Sequence, residues 1–266
     1  MITVDKSKCI KCKQCIRICP FTVIQEVNEY PKLNENKKCI ECLHCISICP
    51  ENALIYDCEC NSKDCQCQSV PSNEVVLSDD FSKQLAHHIK TRRSIRRYKN
   101  NVVEKETITN VLDTVKMCPS AKNQHPCKWI VINGKEKVSK IMDMVLRWVR
   151  ENKISPEILT EYEAGNNCVT MNAPNILIAY GSESAINSYT DCTISLTSAE
   201  LLFQSKGIGT CWAGYLTRIS NADTEIKEYL GIPDGSKIYG IITMGYPDNE
   251  NYIKIPYRAD SDIKWI

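Results

Sequence analysis

Residues 9–20 read C-I-K-C-K-Q-C-I-R-I-C-P, and residues 39–50 read C-I-E-C-L-H-C-I-S-I-C-P. The two segments are identical at eight of twelve positions, so the front of the chain contains an internal repeat. Twelve of the 17 cysteines lie between Cys9 and Cys67. We expect a cytoplasmic protein, and in a reducing cytosol clustered cysteines favour metal binding over disulfides.

The spacing of each copy, C-x2-C-x2-C-x3-C-P, resembles that of two-cluster bacterial ferredoxins, and this resemblance covers residues 1–57. It implies two [4Fe–4S] clusters, each held by three cysteines of one copy and the fourth cysteine of the other copy. The two implied ligand sets are Cys9, Cys12, Cys15 and Cys49, and Cys39, Cys42, Cys45 and Cys19.

A pair of zinc knuckles is the alternative, but zinc sites prefer two C-x-x-C pairs separated by a longer loop, and the spacing here favours iron and sulfur. So small a domain buries too little surface to fold unaided, so the clusters would also stabilise it. The apolar residues predicted to cover the clusters are Val4, Ile24, Val27, Leu54 and Ile55.

Residues 58–78 are rich in polar residues and indicate a linker. This segment holds four further thiols, at Cys58, Cys60, Cys65 and Cys67. They indicate either an extra four-thiolate zinc or single-iron site or a thiol-rich tether that stays reduced.

The overall composition narrows the classes of function. The chain has 266 residues and a formal net charge of +1, which argues against a nucleic-acid partner because such a partner needs a basic surplus. No apolar run is long enough to cross a bilayer, so we expect no membrane span. The start of the chain also lacks the apolar core of a signal peptide.

Residues 79–266 have a different texture, with five cysteines and long periodic segments. The apolar periodicity predicts helices over 79–90, 104–117, 136–150, 188–206 and 222–230. Strands are predicted over 128–133, 175–180 and 238–244. Because helices and strands do not alternate regularly, the predicted fold class is α+β.

Four stretches of this region indicate binding chemistry. Residues 92–98, R-R-S-I-R-R-Y, could bind a phosphate or could form a solvated basic patch. Residues 119–126, P-S-A-K-N-Q-H-P, form a polar loop or an ordinary turn, and residues 207–215, G-I-G-T-C-W-A-G-Y, form a small-residue loop that would let backbone approach a flat ligand. Arg258 is either a further phosphate ligand or a lone surface arginine.

Together and in this order, these stretches resemble the flavin-dependent nitroreductase family over nearly all of residues 79–266. The resemblance implies that Arg92, Ser94, Arg96 and Arg258 hold the FMN phosphate. Arg93 and Asn123 would approach the flavin ring and ribityl chain, and the backbone around Trp212, Ala213 and Gly214 would face the reactive edge at N5. Pro119, Ser120, Ala121 and Cys211 complete the implied cofactor-binding set.

The chain departs from the family in two places. His125-Pro126-Cys127 stands where the family commonly has Gln-Pro-Trp, and we expect His125 to be a plain hydrogen-bonding residue. Residues 147–167 match no fixed family motif and are predicted to form a variable lid over the substrate.

The family fold implies an α+β sandwich and a homodimer with FMN at the dimer interface. The helix over 188–206 could supply that interface or could be an ordinary core helix. Its apolar residues are Ile194, Ala199, Leu201, Leu202 and Phe203.

The two halves together predict an oxidoreductase in which the clusters pass electrons to FMN and FMN reduces an electron-poor, nitroaromatic-like small molecule. No side chain need act as a catalyst, because the flavin performs the chemistry. Reduced ferredoxin or NAD(P)H is the implied donor. The alternatives are an electron-relay protein that reduces a protein partner, and a flavin enzyme of the reductive dehalogenase type.

Overall fold

The computed structural model describes residues 2–56, 79–248, 252 and 254–266. It divides into two compact units, Met1–Leu77 and Ser78–Ile266. The predicted linker with its four thiols, Cys58, Cys60, Cys65 and Cys67, lies outside the described residues. The linker, the extra metal site and the domain boundaries at 57 and 79 therefore stay predictions.

The front unit pairs its two ends and places a hairpin between the repeats. Strand β1 (Ile2–Val4) is antiparallel to β4 (Leu54–Tyr56), and β2 (Ile24–Val27) is antiparallel to β3 (Tyr30–Leu33). Each cysteine repeat also contains one short helix, α1 (Gln14–Ile18) in the first and α2 (His44–Ser47) in the second.

The predicted apolar cover of the front unit is correct for Ile24 and Leu54, which are buried, and Val4 is half-buried. It is wrong for Val27 and Ile55, whose side chains are 38% and 50% exposed. Successive residues of a strand point to opposite faces, so Leu54 and Ile55 cannot both face the interior. Four residues missed by the prediction are also buried: Ile2, Val23, Ile46 and Ala53.

The back unit is built on one antiparallel sheet of strand order β5-β6-β8-β7. The strands are β5 (Lys128–Asn133), β6 (Asn175–Ser182), β7 (Gly209–Trp212) and β8 (Ser236–Gly245). The three predicted strands are present. The fourth, β7, lies where a small-residue loop was expected, because its backbone pairs with β8 at the sheet edge despite its glycine and small residues.

Helices cover both faces of this sheet. They are α3 (Asp79–Thr91), α4 (Lys105–Val115), α5 (Lys135–Asn152), α6 (Glu157–Glu163), α7 (Ser188–Ser205), α8 (Gly214–Ala222) and α9 (Thr224–Leu230). The five predicted helices correspond to α3, α4, α5, α7 and α9, whereas α6 and α8 were not predicted. Within the described part of the chain, no helix combines the length and the apolar character that crossing a membrane requires.

The side chains of β6 show how the sheet separates two cores. Ile176 and Ile178 join the core on the side of α5, α8 and α9, while Leu177 and Ala179 join the core on the side of α4 and α7. Successive residues of β6 therefore face two different cores. The antiparallel pairing of all four strands confirms the α+β prediction.

For α7 this packing favours a core helix, one of the two alternatives left open, and it also limits the predicted lid. Ala199 and Phe203 of α7 are fully buried in the core and do not form an exposed interface, whereas Ile194, Leu201 and Leu202 are half-buried. The first part of the predicted lid is the end of α5, where Trp148 and Val149 are buried. The apolar spacing of α5 continues into the predicted lid, so these two residues pack in the core and do not belong to a lid.

Candidate functional site

The eight repeat cysteines of the front unit line two small cavities, four thiols to each. The first cavity is lined by Cys9, Cys12, Cys15 and Cys49. The second is lined by Cys19, Cys39, Cys42 and Cys45. The fourth cysteine of each repeat thus faces the cavity of the other repeat, which is the grouping that the ferredoxin resemblance implies.

The thiols of each cavity lie close enough to affect one another. Burial raises the pKa of the Cys15 thiol, and the charges of Cys49 and Cys12 raise it further. Burial likewise raises the pKa of Cys45 to about 11, with Cys39 and Cys42 contributing. Yet among the described residues no three metal-binding side chains converge as one ion would require. Four thiols around each cavity, supplied by a C-x2-C-x2-C loop of one repeat and the last cysteine of the other, fit a multi-iron cluster.

The loops around the two cavities repeat the same unusual backbone. Lys11 and Lys13 have φ of 59° and 61°, and their counterparts Glu41 and Leu43 have φ of 53° and 57°. A left-handed non-glycine residue costs on the order of 1–3 kcal/mol and persists only where the surroundings demand it. The sequence repeat therefore encodes a repeated tight loop, and a cluster at its centre would offset the cost.

In the back unit, the 92–98 stretch meets the outer edge of β7 at Ser94 and Ile95 and pairs further on, at Tyr98, with Pro247. Ser94 forms a parallel bridge with Thr210, and the Ile95 N–H donates to the Thr210 carbonyl at 2.9 Å. Two of the predicted cofactor-binding stretches, 92–98 and 207–215, are thereby brought together. The pairing also explains why 209–212 is a strand.

Arg92 and Arg93 line an open cavity of about 240 Å³ with His88, Thr91 and Gln204. Two guanidinium groups beside polar neighbours fit an anion such as a phosphate. Arg93 Nη1 also donates to the Arg92 carbonyl at 2.5 Å. Ser94 and Arg96 are not part of the lining, and Arg96 Nη1 donates to the Ser94 carbonyl at 3.4 Å.

A buried carboxylate that the sequence analysis missed joins these stretches. Glu200 of α7 is 4% exposed. Its Oε1 pairs with Arg92 Nη1 at 3.1 Å, and its Oε2 accepts from the Trp212 indole N–H at 2.8 Å. One turn further on, Gln204 Nε2 donates to Thr210 Oγ1 at 2.6 Å and to the Arg93 carbonyl at 3.2 Å. The C-terminal half of α7 therefore holds both segments.

The loop after α4 is fixed to the other end of α7. The Ala121 N–H donates to both carboxylate oxygens of Asp191, at 3.1 and 3.2 Å, and the Ile186 N–H donates to Gln124 Oε1 at 3.0 Å. Pro119 and Ser120 lead into a short 3-10 turn at Ala121–Asn123. Asp191 and Glu200 are nine residues apart, so roughly 14 Å of helix separates the two attachment points.

Polar contacts within this loop involve the residues at which the chain departs from the family pattern. The His125 N–H donates to Ser120 Oγ at 2.9 Å, and His125 Nε2 lies 2.8 Å from Asn123 Oδ1. The thiol of Cys127 hydrogen bonds with that of Cys192, and this contact together with burial raises the pKa of Cys127. Cys127 therefore packs towards α7.

The small residues of the 207–215 stretch serve two different purposes. A Cβ at Gly209 would lie 2.7 Å from Ile95 Cβ, so this glycine allows β7 to pack closely against residues 92–98. A Cβ at Gly214 would meet nothing within 4 Å. Cys211 and Ala213 are buried, while Trp212 is 36% exposed. Gly214 is thus where backbone is open to a flat ligand.

Arg258, like Ser94 and Arg96, is a predicted phosphate ligand that does not line the cavity of Arg92 and Arg93. It is exposed in the segment after β8, and its Nη1 donates to the Tyr257 carbonyl at 3.3 Å.

Comparison with known proteins agrees with this arrangement of sheet, motifs and cysteines. The nitroreductase family model matches residues 89–246, which is more than half of the chain. The chain belongs to the nitroreductase family. A model of the 4Fe-4S dicluster domain matches residues 8–54, so a ferredoxin-type domain precedes the nitroreductase-family domain. Both resemblances seen in the sequence are therefore confirmed, and the chain is an oxidoreductase of this family.

This nitroreductase-family chain has relatives that match about two thirds of its length. A protein of Archaeoglobus fulgidus with the provisional name NADH dehydrogenase/NAD(P)H nitroreductase is 27% identical over 172 residues, which is 65% of this chain and 88% of that protein. Iodotyrosine deiodinase 1 of Homo sapiens is 24% identical, over 68% of this chain and 66% of its own length. A crystal structure of a nitroreductase with bound FMN from Bacteroides fragilis has a TM-score of 0.61 at 20% identity, covers 69% of this chain and 98% of its own, and shares the fold.

Proposed function

We propose that this chain receives electrons in its ferredoxin-type domain and uses them to reduce an electron-poor, nitroaromatic-like small molecule in its nitroreductase-family domain. The observation that carries the proposal is the presence, in one polypeptide, of two four-thiol cavities and of a cation-lined site between α7 and the edge of the sheet. Two [4Fe–4S] clusters would pass single electrons, and FMN would accept them and deliver two.

The chain's own residues would bind and orient these groups. Cys9, Cys12, Cys15 and Cys49 would hold one cluster, and the other four repeat cysteines would hold the second. Arg92 would neutralise the FMN phosphate, and Gly214 would leave room for the ring beside the backbone. The covalent connection between the units makes electron delivery intramolecular, with an effective concentration on the order of millimolar for a flexible tether. Reduced ferredoxin or NAD(P)H would be the donor.

We also propose a homodimer with FMN at the interface. Helix α3 supports it, because Phe81, Leu85 and Ile89 are spaced four residues apart and are 47%, 43% and 53% exposed. A contiguous apolar face of this kind is typical of a protein interface. Sedimentation velocity on the holoprotein should give twice the mass of one chain, and a monomer carrying bound FMN would exclude this part of the proposal.

The test is anaerobic purification of the whole chain followed by cofactor counting and turnover. We expect about eight irons per chain and about one FMN per chain. After reduction, flavin absorbance should recover fast when a nitroaromatic is added and slowly with candidate protein acceptors. A halogenated aromatic serves as the comparison substrate for the dehalogenase alternative. A colourless, zinc-containing protein, or clusters that oxidise while flavin absorbance stays constant, would contradict the proposal.

A substitution at Asp191 tests the proposed FMN loop. Asp191→Ala removes the acceptor for the Ala121 N–H, and a hydrogen bond to a charged group contributes about 1.5–3 kcal/mol, so we expect roughly tenfold weaker FMN binding. Fluorescence titration with FMN measures it. The control is Asp113→Ala on α4, whose ion pair with Lys116 is exposed. Equal FMN affinity in Asp191→Ala and wild type would show that this loop does not bind the cofactor.

A further inference from the structure

We infer that Glu200 is a positioning residue of the flavin site, holding a proposed phosphate-binding arginine and a proposed ring-facing strand in one fixed arrangement. This inference rests on the proposed function, since it assigns a role towards FMN. The two carboxylate oxygens of Glu200 contact different parts of the site: Oε1 pairs with Arg92 Nη1, and Oε2 accepts from Trp212 Nε1.

The environment of Glu200 indicates that its carboxylate does more than fill space in the core. Its side chain is 5% exposed, and burying a carboxylate is costly unless charge and hydrogen bonds compensate it. Compensation comes from Arg92 and Trp212, with Gln204 Nε2 a further donor at 3.4 Å. An apolar residue at this position of α7 would cost less to bury, so the contacts of the carboxylate indicate its role.

Arg92 shows what the carboxylate supplies. The arginine side chain is 36% exposed and lines the cavity of about 240 Å³, so without a partner it would lose freedom when it binds an anion. Fixing an arginine side chain costs conformational entropy on binding. The contact with Glu200 removes that freedom before the ligand arrives. A preorganised site binds more tightly than a mobile one with the same donors.

Trp212 is the second partner of the Glu200 carboxylate. Its indole packs over Gly240, where an added Cβ would lie 2.9 Å from the ring, and its N–H is tied to Glu200. Ala213 and Gly214 follow directly, so the orientation of Trp212 determines the path of the backbone proposed to face the flavin. Through one carboxylate, the two ends of the site are therefore coupled.

The experiment measures FMN dissociation constants for the full-length protein and for Glu200→Gln. We expect affinity about tenfold weaker in Glu200→Gln, since the amide keeps the shape and loses the charge-assisted contact. The matched control is Asp223→Asn, which breaks another buried carboxylate–arginine pair, Asp223 with Arg147 at 2.6 Å. That control should lower the unfolding temperature and leave FMN affinity within about twofold of wild type.

A double-mutant cycle between Arg92→Lys and Trp212→Phe gives a second measurement that does not require Glu200→Gln to fold. If Glu200 couples the two, their effects on FMN affinity will be non-additive. The Trp212 indole N–H resonance, assigned by its loss in Trp212→Phe, should also shift in Glu200→Gln before FMN is added.

The outcomes separate the two proposals. Unchanged or tighter FMN binding in Glu200→Gln, or an additive cycle, would overturn the role of Glu200 while leaving the proposed function intact. Failure of the wild-type protein to bind FMN would overturn both.

Discussion

Replacing Cys9 and Cys49 together by alanine is expected to leave about four irons per chain, whereas replacing Cys9 and Cys19 together is expected to leave almost none. The reason is the crossed arrangement of the cavities, in which Cys49 lies with Cys9 and Cys19 lies with Cys39. The first pair of substitutions damages one cluster twice, and the second pair damages both clusters. Iron and sulfide analysis of anaerobically purified protein measures the difference.

The control for this experiment is Cys168→Ala, which removes a thiol of the back unit and should leave the iron content unchanged. If each repeat instead supplied all four ligands of its own cluster, Cys9 and Cys19 would share a site and the two results would be reversed. The comparison therefore tests the ligand pairing directly, and spectroscopic assignment of the clusters is not needed.

Gly209→Ala and Gly214→Ala are expected to have opposite effects on the fold although they lie five residues apart. The added Cβ at Gly209 would lie 2.7 Å from Ile95 Cβ and Cγ2. A β-branched side chain has little freedom at χ1, so the backbone around Ile95 must move. Overpacking of this kind costs about 1–3 kcal/mol of unfolding free energy. Because residues 92–98 move with Ile95, FMN binding should weaken by tenfold or more.

Gly214→Ala, in contrast, places its Cβ in open space at the first residue of α8. Its unfolding free energy should stay equal or rise slightly, since alanine favours helix over glycine. FMN affinity should nevertheless fall, because the new methyl group occupies the space proposed for the ring. Chemical denaturation and FMN titration of both variants give the four values required. Wild-type FMN affinity in Gly214→Ala would show that the ring lies elsewhere.

The sequence carries most of the information about the front unit. The cysteine ligands of such a cluster stand at fixed separations along the chain, so the spacing of Cys9, Cys12 and Cys15 predicts a binding loop without any knowledge of packing. The covering residues were harder to predict. Ile55 is as apolar as Leu54, and only the pairing of β4 with β1 decides which of the two faces the interior.

In the back unit, strand β7 and the role of Glu200 were not predicted from the sequence. Five of the seven helices and three strands follow from apolar periodicity. Strand β7 has no such pattern, because it is four residues long and its pairing with β8 depends on tertiary contacts. A signal for Glu200 was present and was overlooked. It lies four residues after Leu196 and three before Phe203, both fully buried, so helical spacing places a carboxylate on the buried face of α7. A carboxylate there requires a partner.

Strand β7 is an edge strand of the four-stranded sheet, and Ser94 and Ile95 pair with Thr210 on its free side. An uncovered strand margin is a template on which another molecule can add its own strand and begin aggregation. Residues 92–98 therefore also protect the edge of the sheet, whichever ligand they bind. Substitutions that detach it should be scored for precipitation and fibre formation as well as for lost affinity, and a soluble but inactive variant is the more informative one to study.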